Sequence, residues 1–210
     1  SFTTSSCGAS GAINPNSFYV RIKAENPCGF LDGAVEPVTT VIPPKANFTI
    51  APDTIACADK VVTFSNTSIT GAIVTNSVCD NTTIINWVIT PATGWTVNTG
   101  LIGNSFPSNN TATWGSQNLG VVFNTPGIYS IKLITRNNAN QGSPCRFDSI
   151  VKKVCITTPP ISDFTLDKIN GCVPLLVQTT NTTVSQNNCK FPTYKWSISY
   201  TRSFCGALPL

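Results

Sequence analysis

The side chains of this sequence best able to do chemistry are nine cysteines, and histidine, the usual partner of a reactive thiol, is absent. Without an imidazole there can be no Ser-His-Asp or Cys-His arrangement, which removes the commonest means of activating a hydroxyl or thiol. No two cysteines form a C-x-x-C pair, so the usual structural zinc sets cannot be assembled either. Thiols dispersed along the chain in this way point instead to disulfides and an oxidising compartment. The nine carboxylates fall mostly in predicted turns and joints. None sits in an apolar setting that would raise its pKa for acid catalysis. Gly94, Gly100 and Gly103 are too widely spaced for a phosphate loop and precede no helical pattern. No catalytic site, metal site or cofactor is expected.

The four tryptophans divide into two kinds. Trp87 and Trp196 lie within apolar alternation and read as core. Trp95 and Trp114 stand in loop-rich stretches and are the candidates for stacking on a sugar or contacting a partner. The formal charge of +4 comes from scattered Lys and Arg, of which Lys152–Lys153 is the densest pair, so no clustered basic face for nucleic acid is expected. No apolar stretch approaches the roughly 18 residues that would span a bilayer, so no direct membrane insertion is expected in this segment. The first residues lack the features of a signal peptide, and the chain reads as an interior piece whose export signal and anchor lie elsewhere.

Only 10% of residues are charged, Thr, Asn and Ser fill the polar positions, and 15 prolines and 14 glycines keep apolar runs short. This is the composition of an all-β fold with frequent turns. Self-similarity then sets the organisation. The run Phe18–Asn26 is followed by Pro27-Cys28, Pro43-Pro44, Asn47-Phe48-Thr49, Cys57, Asn66-Thr67-Ser68, Cys79 and Trp87. The run Tyr129–Asn137 is followed by Pro144-Cys145, Pro159-Pro160, Asp163-Phe164-Thr165, Cys172, Asn181-Thr182-Thr183, Cys189 and Trp196. The spacing is 111 residues from Asn26 to Asn137, 116 from Phe48 to Phe164 and 109 from Trp87 to Trp196. That period is the size of one immunoglobulin-type β-sandwich and too long for a solenoid. The sequence thus predicts the C-terminal part of one domain in residues 1–43, a complete domain in 44–157 and the N-terminal part of a third in 158–210, with proline-stiffened joints.

Within 44–157, period-two alternation predicts strands at Ala46–Ile50, Val61–Asn66 (Val62 and Phe64 inward), around Ile85, Trp87 and Ile89, and at Phe147–Ile156. After the Pro126-Gly127 turn, Tyr129, Ile131 and Leu133 share one face, with Ser130, Lys132 and Arg136 on the other. Tyr129, two residues after a turn glycine, occupies the place of a tyrosine corner, its hydroxyl tying back to that turn. Strands between Pro91 and Asn118 cannot be placed in so Gly-, Asn- and Thr-rich a stretch.

Phe123–Asn137, with Asp163-Phe-Thr-Leu and Gly171-Cys-Val-Pro-Leu-Leu-Val-Gln, resembles PKD and PKD-like domains, as successive copies over nearly the whole chain. The resemblance implies tandem immunoglobulin-like sandwiches. Where PKD domains have Trp-Asp-Phe-Gly-Asp-Gly, this sequence has Trp87-Val-Ile-Thr and Trp196-Ser-Ile-Ser, so the acidic turn linked to calcium is missing. Cysteine-containing, Thr/Asn-rich arrays of this kind resemble those of very large surface proteins of Bacteroidota. That implies type IX secretion, an extracellular, cell-surface location attached through regions outside this segment, and partners among surface polysaccharide or outer-membrane motility and secretion proteins besides neighbouring repeats. In that setting Asp53-Thr54-Ile55 and Asp148-Ser149-Ile150 resemble O-glycosylation sites, with Thr54 and Ser149 as acceptors.

In an immunoglobulin-type sandwich the second-to-third and sixth-to-seventh strand loops share one end. Cys79 and Cys145 fall in these loops and are expected to pair. Cys57, in the first-to-second connection, and Cys155, near the end of the last strand, are expected to pair at the opposite end. Each bridge would stabilise by roughly 3–4 kcal/mol; buried free thiols are the alternative for some. Cys7–Cys28 and Cys189–Cys205 are further options, and Cys172 would seek a partner past Leu210. The function expected is a structural repeat segment of a large adhesin, a stalk supporting surface attachment or gliding. The alternative is an accessory carbohydrate- or protein-binding module of a secreted hydrolase, and a surface-layer lattice protein is a third possibility.

Overall fold

The computed structural model describes residues 1–10, 14–75, 77–104, 114–137, 145, 147–172, 174–184, 189 and 192–199. Cys205 and Pro144 lie outside the described residues. The fold is all-β, as the composition predicts, and the described residues contain no helix. The strands are β1 (Phe18–Asn26), β2 (Gly29–Val38), β3 (Phe48–Ala51), β4 (Ile55–Cys57), β5 (Val61–Asn66), β6 (Ile73–Thr75), β7 (Val78–Asp80), β8 (Thr83–Thr90), β9 (Trp95–Thr99), β10 (Asn118–Phe123), β11 (Gly127–Asn137), β12 (Phe147–Thr157), β13 (Phe164–Leu166) and β14 (Thr179–Asn181).

Eight of these strands build two sheets, in the orders β3-β5-β10-β9 and β4-β12-β11-β8. All neighbours run antiparallel except β4 and β12, which are parallel. The strand alternation places one face of each sheet inward. Along β11, Tyr129, Ile131 and Leu133 are buried while Ser130, Lys132 and Arg136 are only partly covered. Val62 and Phe64 of β5 and Ile85, Trp87 and Ile89 of β8 are buried too, all as the alternation predicts. Between the sheets the aromatic rings interlock. Phe48 meets Trp87 edge-on at 5.3 Å, and Phe123 lies 4.5 Å from Tyr129. The indole N–H of Trp87 donates to the Ser116 carbonyl at 2.9 Å, so its burial leaves no polar atom unpaired.

The stretch that sequence could not resolve supplies β9 and a cover for the open edge of β8. The Trp87 amide donates to Ile102 O, and the Gly115 amide donates to Ile85 O, each at 2.8 Å. An edge occupied in this way offers no ladder to a foreign strand.

The tyrosine corner is present. The Tyr129 hydroxyl lies 2.8 Å from Thr125 O and 3.1 Å from Gly94 O. Gly94 has φ +84°, and a Cβ there would sit 2.5 Å from the phenolic oxygen. Only glycine fits that approach.

Pairings outside the two sheets reuse those inside them. Phe164, Thr165 and Leu166 pair with Asn181, Thr180 and Thr179 as Phe48, Thr49 and Ile50 pair with Asn66, Ser65 and Phe64. The Ile161–Val184 bridge repeats Lys45–Ile69. Phe18, Tyr19, Val20 and Arg21 pair with Val38, Pro37, Glu36 and Val35 as Tyr129, Ser130, Ile131 and Lys132 pair with Val154, Lys153, Lys152 and Val151. The recurring polar motif has a local cause. Asn66 Oδ1 accepts from the Ser68 amide at 3.0 Å, and Asn181 Oδ1 from the Thr183 amide at 2.9 Å. Asn47 and Asp163 each accept the amide of the following phenylalanine. These short polar side chains shape the same turn twice.

Candidate functional site

Among the described residues no three metal-ligating side chains come together. The chemistry seen among the described residues is sulfur crosslinking. Two disulfides form, Cys7–Cys79 and Cys155–Cys189, with Cα separations of 5.5 and 5.9 Å.

The expected pairs Cys57–Cys155 and Cys79–Cys145 are therefore corrected. Cys57 ends β4 and stands opposite Thr157, while Cys155 stands opposite Ile55, so the two thiols sit out of register on neighbouring parallel strands. Cys79 lies on the β6–β7 hairpin, where it pairs across from Val74, and this hairpin reaches residues near the N-terminus instead of the loop before β12. Cys145 and Cys57 are free, as are Cys28 and Cys172, which excludes Cys7–Cys28 and Cys189–Cys205.

Each bridge lands on a matched position. Cys79 and Cys189 are 110 residues apart and correspond in the repeated sequence. Their upstream partners have no such correspondence, since Cys7 precedes β1 and Cys155 lies in β12. The expected pairs were bridges within one repeat, and the overlooked signal was that Cys7 and Cys155 are two of the three cysteines, with Cys205, that have no counterpart in the repeated sequence.

Hydrogen bonds reinforce the region of the first bridge and the Pro43-Pro44 segment. Asn16 Nδ2 donates to Ser77 O at 2.8 Å beside Cys7–Cys79. Downstream, Ile42 exchanges amide–carbonyl bonds with Ala72, and Lys45 with Ile69, at 2.8–2.9 Å. The buried Asn137 amide donates to Ile42 O at 3.2 Å, and Asp148 accepts the Ala46 amide at 2.8 Å. Gly71 permits this crowding, for a Cβ there would lie 2.3 Å from Asn137 Oδ1. The Pro43-Pro44 segment is thus pinned on both sides.

Trp95 and Trp114 do not come together. Trp95 begins β9 opposite Phe123, packs against the core and donates its indole N–H to Pro91 O at 2.8 Å, just past the end of β8. Trp114 carries the Arg136 guanidinium 5.0 Å from its ring centre, and Arg136 pairs with Ile84 near the start of β8. A strand of this length separates them by roughly 20 Å, too far for one stacking platform. Thr54 and Ser149 are both exposed. The Thr54 hydroxyl is hydrogen-bonded to Asp53 Oδ1 at 3.1 Å.

The chain matches none of the known protein-family descriptions, and no curated protein is similar enough to match it. The disulfides fit an oxidising, extracellular type of environment. Among the described residues no helix is long and apolar enough to cross a membrane.

Proposed function

We propose that the chain is a segment of tandem immunoglobulin-like, PKD-like sandwiches that forms a covalently stiffened stalk of a secreted cell-surface adhesin. The observation that carries this reading is that the two disulfides, Cys7–Cys79 and Cys155–Cys189, each join segments that the sequence repeat assigns to different copies and share the matched positions Cys79 and Cys189. A bridge inside one sandwich would protect that sandwich alone; a bridge across a joint transmits tension and holds the angle between neighbours. The sheet orders support the immunoglobulin-like assignment, since β3-β5-β10-β9 follows A-B-E-D and β12-β11-β8 follows G-F-C, with β4 as the short parallel strand beside G. The recurrence of strand register at the spacing of the sequence repeat supports the tandem reading. An array of this build resembles that of the gliding-motility adhesin SprB, with surface polysaccharide or outer-membrane motility and secretion proteins as partners at regions beyond these units.

Single-molecule stretching of the full chain tests the stalk. The bridges span 72 and 34 residues, so at about 3.5 Å per extended residue they withhold roughly 370 Å of contour length. Reduction and alkylation should release that length on full extension. Equal contour lengths in the oxidised and reduced chains would refute the covalent stalk.

A further inference from the structure

The two bridges decide which backbone bears load when the chain is pulled. Cys7–Cys79 closes residues 8–78 into a loop and Cys155–Cys189 closes residues 156–188, so tension along the chain passes through sulfur and leaves both loops slack. β3, β4 and β5 lie inside the first loop, as does Pro43-Pro44, and Pro159-Pro160 lies inside the second. The loaded backbone runs from Cys79 to Cys155.

The ends of that path grip opposite ends of one sheet. Cys79 precedes Thr83, the first residue of β8, by four residues. Thr83 pairs with Asn137, the last residue of β11, and Cys155 pairs with Ile128 near its start. These two rows are nine residues apart along β11, roughly 30 Å. Tension therefore runs along the strands and loads the β8–β11 and β11–β12 ladders in shear, so that their hydrogen bonds must yield together. Both ladders are long, since β8 has 8 residues and β11 and β12 have 11 each. Without the bridges, tension would enter the sandwich at Ala46 and leave by Thr157. The first strands it would meet are β3, with 4 residues, and β4, with 3, and each is the edge of its sheet. Either can leave without disturbing the remaining strands.

We propose that the two disulfides route tension around the short edge strands and across β8, β11 and β12, whose ladders then set the force at which the sandwich opens. This rests on the stalk reading and adds the path that the load takes. Two contacts separate the bridged path from the unbridged one. The Lys152 ammonium donates to Phe48 O and, at 3.1 Å, to Asn47 Oδ1, which ties β3 to β12 across the two sheets. The Ala58 amide, just past β4, donates to Thr157 O at 2.8 Å. On the unbridged path these contacts resist the removal of β3 and β4. On the bridged path neither is loaded.

Force spectroscopy of the full chain, tethered at its two termini, tests the proposal by comparing the oxidised wild type with the double variant Cys7→Ser, Cys79→Ser. Cys155 is 76 residues from Cys79 and 109 from Ala46. At about 3.5 Å per residue, opening the sandwich should release about 270 Å of chain in the wild type and about 380 Å in the variant, less the folded span. The wild type should open at the higher force, because forced unfolding follows the unfolding barrier of the strands under load. Lys152→Met and Ala58→Pro should each lower the opening force of the double variant and leave that of the bridged chain unchanged. Urea unfolding checks that each chain folds, and Lys152→Met, a side-chain change of similar length, decides alone if Ala58→Pro does not fold. Equal forces in bridged and unbridged chains, or a Lys152→Met effect of the same size in both, would overturn the proposal. Length keeps the two readings apart. A contour that grows on reduction while the opening force stays the same would leave the stalk standing and sink this load path.

Discussion

Replacing Tyr129 by Phe removes one oxygen from the place where the two sheets are tied at their corner, and the structure sets how much this should cost. The phenolic hydroxyl lies within hydrogen-bonding distance of Thr125 O and Gly94 O. Gly94 O keeps the amides of Asn124 and Thr125 when the hydroxyl is gone, and Thr125 is exposed enough for water to replace it. No carbonyl is left orphaned, so the loss is that of an ordinary net hydrogen bond, about 1 kcal/mol. For a unit of about 110 residues this lowers Tm by about 4 °C. Burial raises the pKa of Tyr129 above its usual value of 10.0. The sign follows. The unfolded chain ionises first as pH passes 10, so the wild type keeps its full stability below that pH and loses about 1.4 kcal/mol for each further unit until the folded group ionises. The Phe variant lacks this term, so the advantage of the wild type over it should shrink as pH rises above 10. Urea unfolding of the full chain followed by tryptophan fluorescence, at pH 7 and at intervals above 9, reads both effects. Equal stabilities at pH 7, or curves that stay parallel above pH 10, would refute the corner.

Two further substitutions separate structure from recognition. Gly94→Ala combines φ +84° with a Cβ 2.5 Å from the Tyr129 oxygen and should destabilise by about 2–3 kcal/mol in the same assay, more than Tyr129→Phe. A loss no greater than that of the Phe variant would mean the turn relaxes freely. Trp95→Ala should lower Tm, because Trp95 packs against the core, while neither it nor Trp114→Ala should change binding on a glycan array; a signal lost on either replacement would revive the carbohydrate-binding reading.

The strands of the complete sandwich were legible because burial imposes period two on its residues. Val62 and Phe64, and Tyr129 to Leu133, alternate strictly, and Ile85, Trp87 and Ile89 share the inward face although Asn86 between them is buried as well; a slip of one residue would expose these apolar sets. The stretch from Pro91 to Asn118 was not legible. β9 is largely exposed, a bulge between Gly120 and Val121 breaks its pairing with β10, and Gly94, Gly100 and Gly103 take positive φ. The tyrosine corner was readable because its position relative to a turn glycine is local. The disulfides were misread because pairing depends on which repeat a loop faces, and spacing within one repeat carries no record of its neighbour. The hairpin bearing Cys79 looked like part of its own sandwich, yet Asn16 and Cys7 receive it.

The asymmetry of the two bridges has a consequence for how such a polymer can grow. On the proposed tandem reading, Cys79 and Cys189 hold one address in successive copies, whereas their partners lie ahead of β1 in one case and in β12 in the other. A copy can follow only a neighbour that presents a thiol within its reach. Under that proposal, duplication or shuffling that ignored this rule would leave the sulfur at the Cys79 or Cys189 position without its partner.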